Sequence, residues 1–318
     1  MTGALLRIHR GDSLTIDVLE HLLTEQANPA SAFLDTLPTE KMLRVINAED
    51  RKVADAVERE IPAIARAVDA IVAAFERGGR LYYIGAGTSG RLGVLDASEI
   101  PPTFSAPANM VQGIIAGGEA ALSHATETTE DDPAIGVRDL AARGFTANDV
   151  LVGIAASGRT PYVLGAVGQA RRMGAVTVGI SCTPDSELAR AAEIAITPLV
   201  GPEVVAGSTR MKAGTAQKLV LNMLSTAACV RLGWVYGNLM VNVQPKNRKL
   251  ADRARRIIAQ AAGVSHERAG ELLEQSGASV RTAIVMAKAG VGREEAERRL
   301  AAAGGRISRA LEYGQIRS

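Results

Sequence analysis

Hydrophobic and polar positions follow two different rhythms along the chain. Residues 39–77 carry apolar side chains at helical spacing, and Pro62 is expected to divide this stretch into two helices. Short apolar runs follow, separated by helix-like segments, at Leu81–Ile84, Val111–Ala116, Val150–Ala155, Val176–Ser181 and Ile194–Thr197. All but the last run end in turns rich in Gly or Ser. Such repeated strand–turn–helix units predict an α/β fold whose open parallel sheet has helices on both faces.

The remaining pattern divides the chain into three parts. A long helix is predicted from Lys212 to Leu232, and beyond Lys246 the pattern shows only short helices punctuated by glycine. We therefore predict an N-terminal arm with helices over 1–70, a sheet domain over 71–235 and a small helical subdomain over 246–318. In a parallel sheet, ligands bind beyond the carboxyl ends of the strands, so the turns there are where function is expected.

Composition narrows the function classes for this chain of 318 residues. It is 47% hydrophobic but only 3% aromatic, which suits an aliphatic core in a sheet buried on both faces. A net charge of +2 is too small to indicate nucleic acid as a partner. The two cysteines are far apart, so no disulfide or metal site is predicted. We find no secretion signal, and the apolar stretch Leu219–Val230 is too short to cross a bilayer. These features predict a cytoplasmic protein without a membrane partner.

The stretch IGAGTSGRLG, residues 84–93, follows the first predicted strand and raises two alternatives. Its glycines fit the dinucleotide-binding fingerprint G-x-G-x-x-G, and a smaller phosphate could occupy the same kind of turn. A dinucleotide site also needs an acidic residue about 20 positions later to bind the ribose. That count falls on residues 101–105, which contain no carboxylate, and Glu119 comes later than the spacing requires. The pattern thus favours the smaller phosphate.

Hydroxyl groups in two predicted turns support this choice. The first turn carries Thr88 and Ser89, and the turn after the third predicted strand has the sequence ASGRTP, residues 156–161. Two such turns at neighbouring strand ends would hold one phosphate monoester, although Ser and Thr also serve simply as helix N-caps. The predicted phosphate ligands are Gly87, Thr88, Ser89, Ser157, Gly158 and Thr160.

A third polar stretch, GPEVVAGSTRMKAGT at residues 201–215, precedes the long predicted helix. It concentrates charged and hydroxyl side chains beside a helix start. These groups are either ordinary surface charges or one wall of the same site, and the second interpretation is favoured. Glu203, Ser208 and Lys212 are accordingly predicted to contribute to substrate binding.

These motifs together resemble a known family. The segments GAGTSGRLG, IAASGRTPYV and GPEVVAGSTRMKAGTAQK resemble the sugar isomerase (SIS) type of domain, and in particular the bacterial N-acetylmuramic acid 6-phosphate etherase family. That family shares the last motif with glucokinase regulatory proteins. The resemblance implies an SIS-type αβα sandwich with a five-stranded parallel sheet. It also implies a homodimer that uses no metal or other cofactor and cleaves the D-lactyl ether of N-acetylmuramic acid 6-phosphate.

Cleavage of an ether by elimination needs acid–base groups. In the open-chain sugar a base can remove the C2 hydrogen, which lies next to the aldehyde, while an acid protonates the oxygen leaving C3. The resemblance places the acid on Glu99, in LDASEIPP, and the second catalytic residue on Glu130. We hypothesise that Glu130 handles the C2 proton or the incoming water. Glu127 is an alternative to Glu130, and His124 is a further candidate base.

Other functions for such a domain differ in their requirements. A non-catalytic sugar-phosphate sensor would need no acid–base pair, and a phosphosugar isomerase would release no lactate. A DNA-binding regulator should carry a basic helix-turn-helix arm, which the first residues do not show.

Overall fold

The computed structural model describes residues 23–124, 129–245 and 247–312. Two short 3₁₀ turns, Pro29–Ser31 and Leu34–Thr36, precede the first helix of these ranges. The described α-helices are α1 Thr39–Asp50, α2 Lys52–Glu58, α3 Ile61–Glu76, α4 Gly87–Phe104, α5 Ala120–Ser123, α6 Pro133–Ala142, α7 Pro161–Arg172, α8 Glu187–Ala191, α9 Lys212–Arg231, α10 Arg248–Ala262, α11 His266–Gln275, α12 Val280–Ala289, α13 Arg293–Ala302 and α14 Ile307–Glu312.

The central sheet has five parallel strands in the order β2-β1-β3-β4-β5. The strands are β1 Leu81–Gly85, β2 Val111–Ile115, β3 Val150–Ile154, β4 Val176–Ile180 and β5 Ile194–Ile196. Their bounds agree with the predicted runs to within one residue because fully buried parallel strands need continuous apolar sequence. The prediction of an α/β fold with a five-stranded parallel sheet is confirmed.

Helices cover both faces of the sheet. One face carries α2, α3, α4 and α9, whose buried residues pack with Leu81 and Tyr83 of β1. The other face carries α6, α7 and α8, which pack with Tyr82 and Ile84. Successive side chains of a strand point to opposite faces, so this alternation along β1 supplies both cores.

The segment 39–77 departs from its prediction, because it forms three helices rather than two. Pro62 lies in the first turn of α3, where its missing N–H costs nothing, and so it begins that helix instead of breaking one. A further interruption falls at Arg51, between α1 and α2, which no breaker residue marks in the sequence.

A hairpin and a helical unit follow the sheet. Strands β6 Val235–Tyr236 and β7 Leu239–Met240 form an antiparallel pair around a Gly237–Asn238 turn, which the sequence pattern did not predict. Helices α10 to α14 then enclose a separate apolar core. The chain between these parts is held to the sheet domain, since Asn242 donates a 2.6 Å hydrogen bond to the carbonyl of Phe104. The division at residues 70, 235 and 246 itself stays a prediction.

Candidate functional site

The turns that follow β1 and β3 are neighbours in space. The two strands pair directly, with Gly85 opposite Ile154, so both chains leave the sheet side by side at its carboxyl edge. On the other side of β1, Gly85 is also opposite Ile115 of β2. The structure therefore brings the two hydroxyl-bearing loops together at the edge where parallel sheets bind ligands.

The first loop leads straight from β1 into α4. A Cβ on Gly85 would lie 2.7 Å from the backbone nitrogen of Gly90, so the turn is too tight for any other residue there. Ala86 occupies the N-cap position of α4 and its side chain forms no capping hydrogen bond. The first-turn amides, which include those of Gly87 and Thr88, consequently remain available to an anion.

Ser89 of this loop is bonded inside the protein. It is buried, and its Oγ donates a 2.9 Å hydrogen bond to Oε1 of Gln217 on α9. The Nε2 atom of Gln217 is buried without a partner among the described residues. Gln217 is not among the predicted site residues, although it lies within the TAQK part of the third motif. Thr88, by contrast, is half-buried and its side chain lies against Gly214 at the start of α9.

The second loop has the features of an anion-binding turn. Gly158 has a φ of +68°, and a Cβ there would collide with the hydroxyl of Ser186, so this position requires glycine. Ser157 is half-buried, and its Oγ accepts a 3.3 Å hydrogen bond from the amide of Arg159. Thr160 is the N-cap residue of α7 and forms no side-chain capping bond. The simple N-cap interpretation therefore does not account for Thr160.

Glu130 lies beside the second loop. Its carbonyl oxygen accepts a 3.0 Å hydrogen bond from the amide of Tyr162, in the first turn of α7, and the residue is half-buried. The alternative residue Glu127 lies outside the described residues. His124 is exposed, and its Nδ1 is 2.9 Å from the hydroxyl of Ser123. Of the two candidates that the structure describes, Glu130 is the one that lies beside the second loop.

Glu99 lies far from the loops of its own chain. It is exposed on α4, twelve residues after Gly87. At 1.5 Å per residue, these positions are about 18 Å apart along the helix axis. Within one chain, the structure therefore does not bring Glu99 together with the first loop, which is predicted to bind phosphate.

The third polar stretch is tied into the interior. Glu203 is buried and accepts hydrogen bonds from the amides of Lys212 (3.0 Å) and Ala213 (2.9 Å), which makes it the cap of α9. Lys212 is 1% exposed, and its Nζ lies 2.7 Å from Oε2 of Glu49 on α1. Ser208 is half-buried in the same turn. These bonds give Glu203 and Lys212 a structural role. The predicted substrate contacts of Glu203, Ser208 and Lys212 stay predictions.

Glu49 is a charged group that the sequence analysis missed. Burial alone would raise its pKa, but hydrogen bonds from Lys212, Lys52 and Asn28 outweigh that effect and bring the pKa to about 2. Asn28 also donates to the carbonyl of Pro202 at 3.0 Å. The cluster thereby joins the segment before α1 to the turn that precedes α9.

One cleft of the described structure lies apart from the two loops. It encloses about 630 Å³ along the edge strand β2 and includes Glu119, Thr129 and Arg138 in its lining. Most of that lining comes from β2, α5 and α6 rather than from the turns after β1 and β3. Among the described residues, no group of three or more His, Cys, Asp or Glu side chains is placed to hold a metal ion. No described helix has the length and apolar character needed to span a membrane.

Two family models match the sheet domain. Residues 63–171 match the N-terminal SIS domain of glucokinase regulatory protein, and residues 143–227 match the SIS domain. Together they span the strands and the two loops. A solved phosphoheptose isomerase from Neisseria gonorrhoeae is 16% identical with a TM-score of 0.46, over 60% of this chain and 98% of that one, a likeness too distant to carry an argument.

Relatives of known name cover nearly the whole chain. N-acetylmuramic acid 6-phosphate etherase from Aeromonas hydrophila is 57% identical over 93% of this chain and 99% of that protein. The protein of the same name from Rhizobium rhizogenes is 54% identical over 93% and 96%. The match extends through the sheet domain and well beyond it. The chain belongs to the N-acetylmuramic acid 6-phosphate etherase family.

Proposed function

We propose that this chain cleaves the D-lactyl ether of N-acetylmuramic acid 6-phosphate and releases N-acetylglucosamine 6-phosphate and D-lactate, as part of cell-wall amino-sugar recycling in the cytoplasm. The observation that carries most weight is the pair of loops on β1 and β3 in a chain that is 57% identical to an etherase along its length. The two cysteines, Cys182 and Cys229, are buried free thiols, which suits a reducing compartment.

The 6-phosphate binds between the two loops. The uncapped first turn of α4 supplies backbone N–H donors and the positive end of the helix dipole. The hydroxyls of Ser157 and Thr160 supply side-chain donors from the neighbouring loop. A phosphate held at this edge directs the sugar carbons away from the sheet and toward Glu130.

The reaction is an elimination followed by an addition. A base removes the proton from C2, the electron pair forms the C2–C3 double bond, and the C3–O bond breaks with its electron pair on the lactyl oxygen. That oxygen takes a proton from an acid, and water then adds across the double bond. We assign the acid to Glu99 and the C2 proton or the incoming water to Glu130.

The assigned roles require a second copy of the chain. Five bonds of about 1.5 Å separate phosphorus from C3, so C3, the sugar carbon that carries the lactyl ether, lies within about 8 Å of the phosphorus atom. Glu99 of the same chain is about 18 Å along α4 from the phosphate end and cannot reach that carbon. We therefore propose a homodimer in which Glu99 of one protomer completes the site formed by the loops and Glu130 of its partner.

The surface around Glu99 supports this arrangement. Leu95, one turn earlier on the same face of α4, is 52% exposed, and Met223 is exposed on α9, the helix packed against α4. An exposed apolar side chain one turn from an exposed acid, with a second on the neighbouring helix, suits burial against another protomer. The second copy would also exclude water from the acid and its substrate.

An assay for D-lactate tests the function. The purified chain is incubated with N-acetylmuramic acid 6-phosphate, and both D-lactate and N-acetylglucosamine 6-phosphate are measured. Equal amounts of the two products support the proposal. Binding of the sugar phosphate without lactate indicates a sensor, and formation of a ketose phosphate indicates an isomerase; either outcome contradicts it.

A further inference from the structure

A buried carboxylate lies one turn before Glu99 on the same helix. Asp96 is 5% exposed, and Tyr83 on β1 donates a 2.9 Å hydrogen bond to its Oδ2. Its Oδ1 accepts hydrogen bonds from Asn222 (2.6 Å) and Ser225 (3.2 Å), both on α9. One side chain of α4 is thus bonded to the sheet and to the neighbouring helix at once.

All three partners of Asp96 donate, so the ionised carboxylate is the form that satisfies them. Burial raises the pKa of Asp96, and the hydrogen bonds from Asn222, Tyr83 and Ser225 oppose that rise. A buried carboxyl group is costly unless it is paired in this way, and an apolar side chain would fill the same space at lower cost. The network consequently calls for an explanation beyond packing.

The helix around Glu99 is weakened by its own sequence. Pro101 and Pro102 lie inside α4 and have no N–H, so the carbonyls of Ala97 and Ser98 lose their intrahelical partners. Both missing hydrogen bonds would span the position of Glu99 in the helix. The direction in which Glu99 points then depends on contacts between α4 and other elements, and Asp96, three residues before Glu99, makes the polar side-chain contacts nearest to it in sequence.

We propose that Asp96 is a positioning residue for Glu99. Its bonds to β1 and α9 fix the rotation and tilt of the last turns of α4, and so set where the Glu99 carboxyl lies relative to the lactyl oxygen. The inference rests on the proposed function, because it assumes that Glu99 is the acid. It adds a requirement that the acid–base chemistry alone does not contain.

Two substitutions test the pairing directly. Asp96→Asn keeps the shape but turns an amide N–H toward donors, so kcat is expected to fall about 100-fold, as for a reacting group misplaced by about 1 Å. The KM and the affinity for inorganic phosphate should stay within threefold of wild type, because the loops are untouched. The double variant Asp96→Asn/Asn222→Asp reverses the pair, so that an amide at position 96 donates to a carboxylate at position 222. Its kcat should return to within tenfold of wild type.

A matched control separates positioning from stability. Asp149 is also buried, and its carboxylate accepts hydrogen bonds from Arg80, just before β1, and from Thr146, just before β3. These positions lie at the opposite end of the strands from the carboxyl edge. Asp149→Asn should lower the melting temperature but leave kcat unchanged when the assay runs below the transition. If Asp96→Asn does not fold, Tyr83→Phe removes a single donor from the network, and its kcat should fall three- to tenfold.

Each result bears on the inference. Wild-type kcat in folded Asp96→Asn, or in Tyr83→Phe if that variant replaces it, overturns the inference, as does a double variant that regains nothing. Glu99→Gln is measured beside them. An inactive Glu99→Gln with a fully active Asp96→Asn overturns only the positioning role. An active Glu99→Gln overturns the proposed role of Glu99, and the positioning role with it.

Discussion

The two ends of α4 have different proposed roles, and different kinds of contact determine their geometry. The N-terminal end offers backbone amides in a turn whose shape is set by Gly85 and Gly90. The C-terminal half carries Asp96 and Glu99 in a stretch interrupted by two prolines, where contacts with other elements determine the geometry. The shape of the amide turn follows from local sequence, whereas the position of Glu99 depends on tertiary contacts of α4 and, in the proposed function, on a second protomer. Four substitutions test this difference and the contacts around it.

The largest effect is expected at the C-terminal half. Glu99→Gln removes the proton that the leaving oxygen needs, so D-lactate release should fall between 10²- and 10⁴-fold, the usual contribution of a general acid. The KM should change little. Glu58→Gln, on the exposed face of α2, is the matched control and should keep full activity. A loss of only a few-fold in Glu99→Gln would refute the assignment.

The next largest effect is on stability and is expected at the buried ion pair between Glu49 and Lys212. The pKa of Glu49 is lowered to about 2 from 4.5, so its ionisation stabilises the fold above pH 4.5, and this stability is lost as the pH falls toward 2. Glu49→Gln should reduce the free energy of unfolding at pH 7 by about 3 kcal/mol, because Lys212 is left buried without its counter-charge. Urea titrations from pH 7 to pH 2.5 measure this, with the exposed Glu40→Gln as control. If the two variants lose stability in parallel on acidification, the pairing does not stabilise the fold.

A smaller effect is expected at the second phosphate loop. Gly158→Ala forces a side chain into the left-handed region and against Ser186, so the loop must shift. The KM for the sugar phosphate should rise roughly tenfold while kcat stays within threefold, because only phosphate binding is disturbed. Gly174→Ala has similar backbone strain (φ +81°) but meets no neighbouring atom, and its KM should not change. Equal KM values for the two variants would remove this loop from the site.

The smallest effect is expected at Gln217. Gln217→Glu places a negative charge beside the phosphate end of α4 and holds the hydroxyl of Ser89 as its donor. The KM should therefore rise three- to fivefold, with greater weakening at low ionic strength, where charges are screened less. Gln169→Glu, on α7, carries the same change at a distance from the loops. An unchanged KM at low salt would indicate that Gln217 lies outside the phosphate's reach.

The same division between local pattern and distant contact determines which features the sequence predicts. Strands β1 to β5 and both loops could be predicted because buried parallel strands and glycine turns leave local patterns. The Gly237–Asn238 hairpin and the interruption at Arg51 could not, because very short strands and a break without Pro or Gly leave weak signals.

The hydrogen-bond partners of the buried polar side chains could not be predicted from the sequence. Asp96, Gln217 and Glu49 each form at least one hydrogen bond with a side chain more than 100 residues away in sequence. The family resemblance assigns the acid to Glu99, and the twelve residues from Gly87 to Glu99 correspond to about 18 Å because the structure forms them as one helix despite Pro101 and Pro102. Such distances become visible only when the helix is built.

A mixed dimer of two variants shows whether two protomers share each site. One chain carrying Glu99→Gln and another carrying Glu130→Gln are co-expressed with different tags and purified as a mixed dimer, and D-lactate release is measured. Both parent homodimers should be inactive. The mixed dimer should regain about half of the wild-type rate, because one of its two sites combines an intact Glu130 with its partner's intact Glu99. A mixed dimer as inactive as its parents, or a chain that remains monomeric while active, would contradict the account.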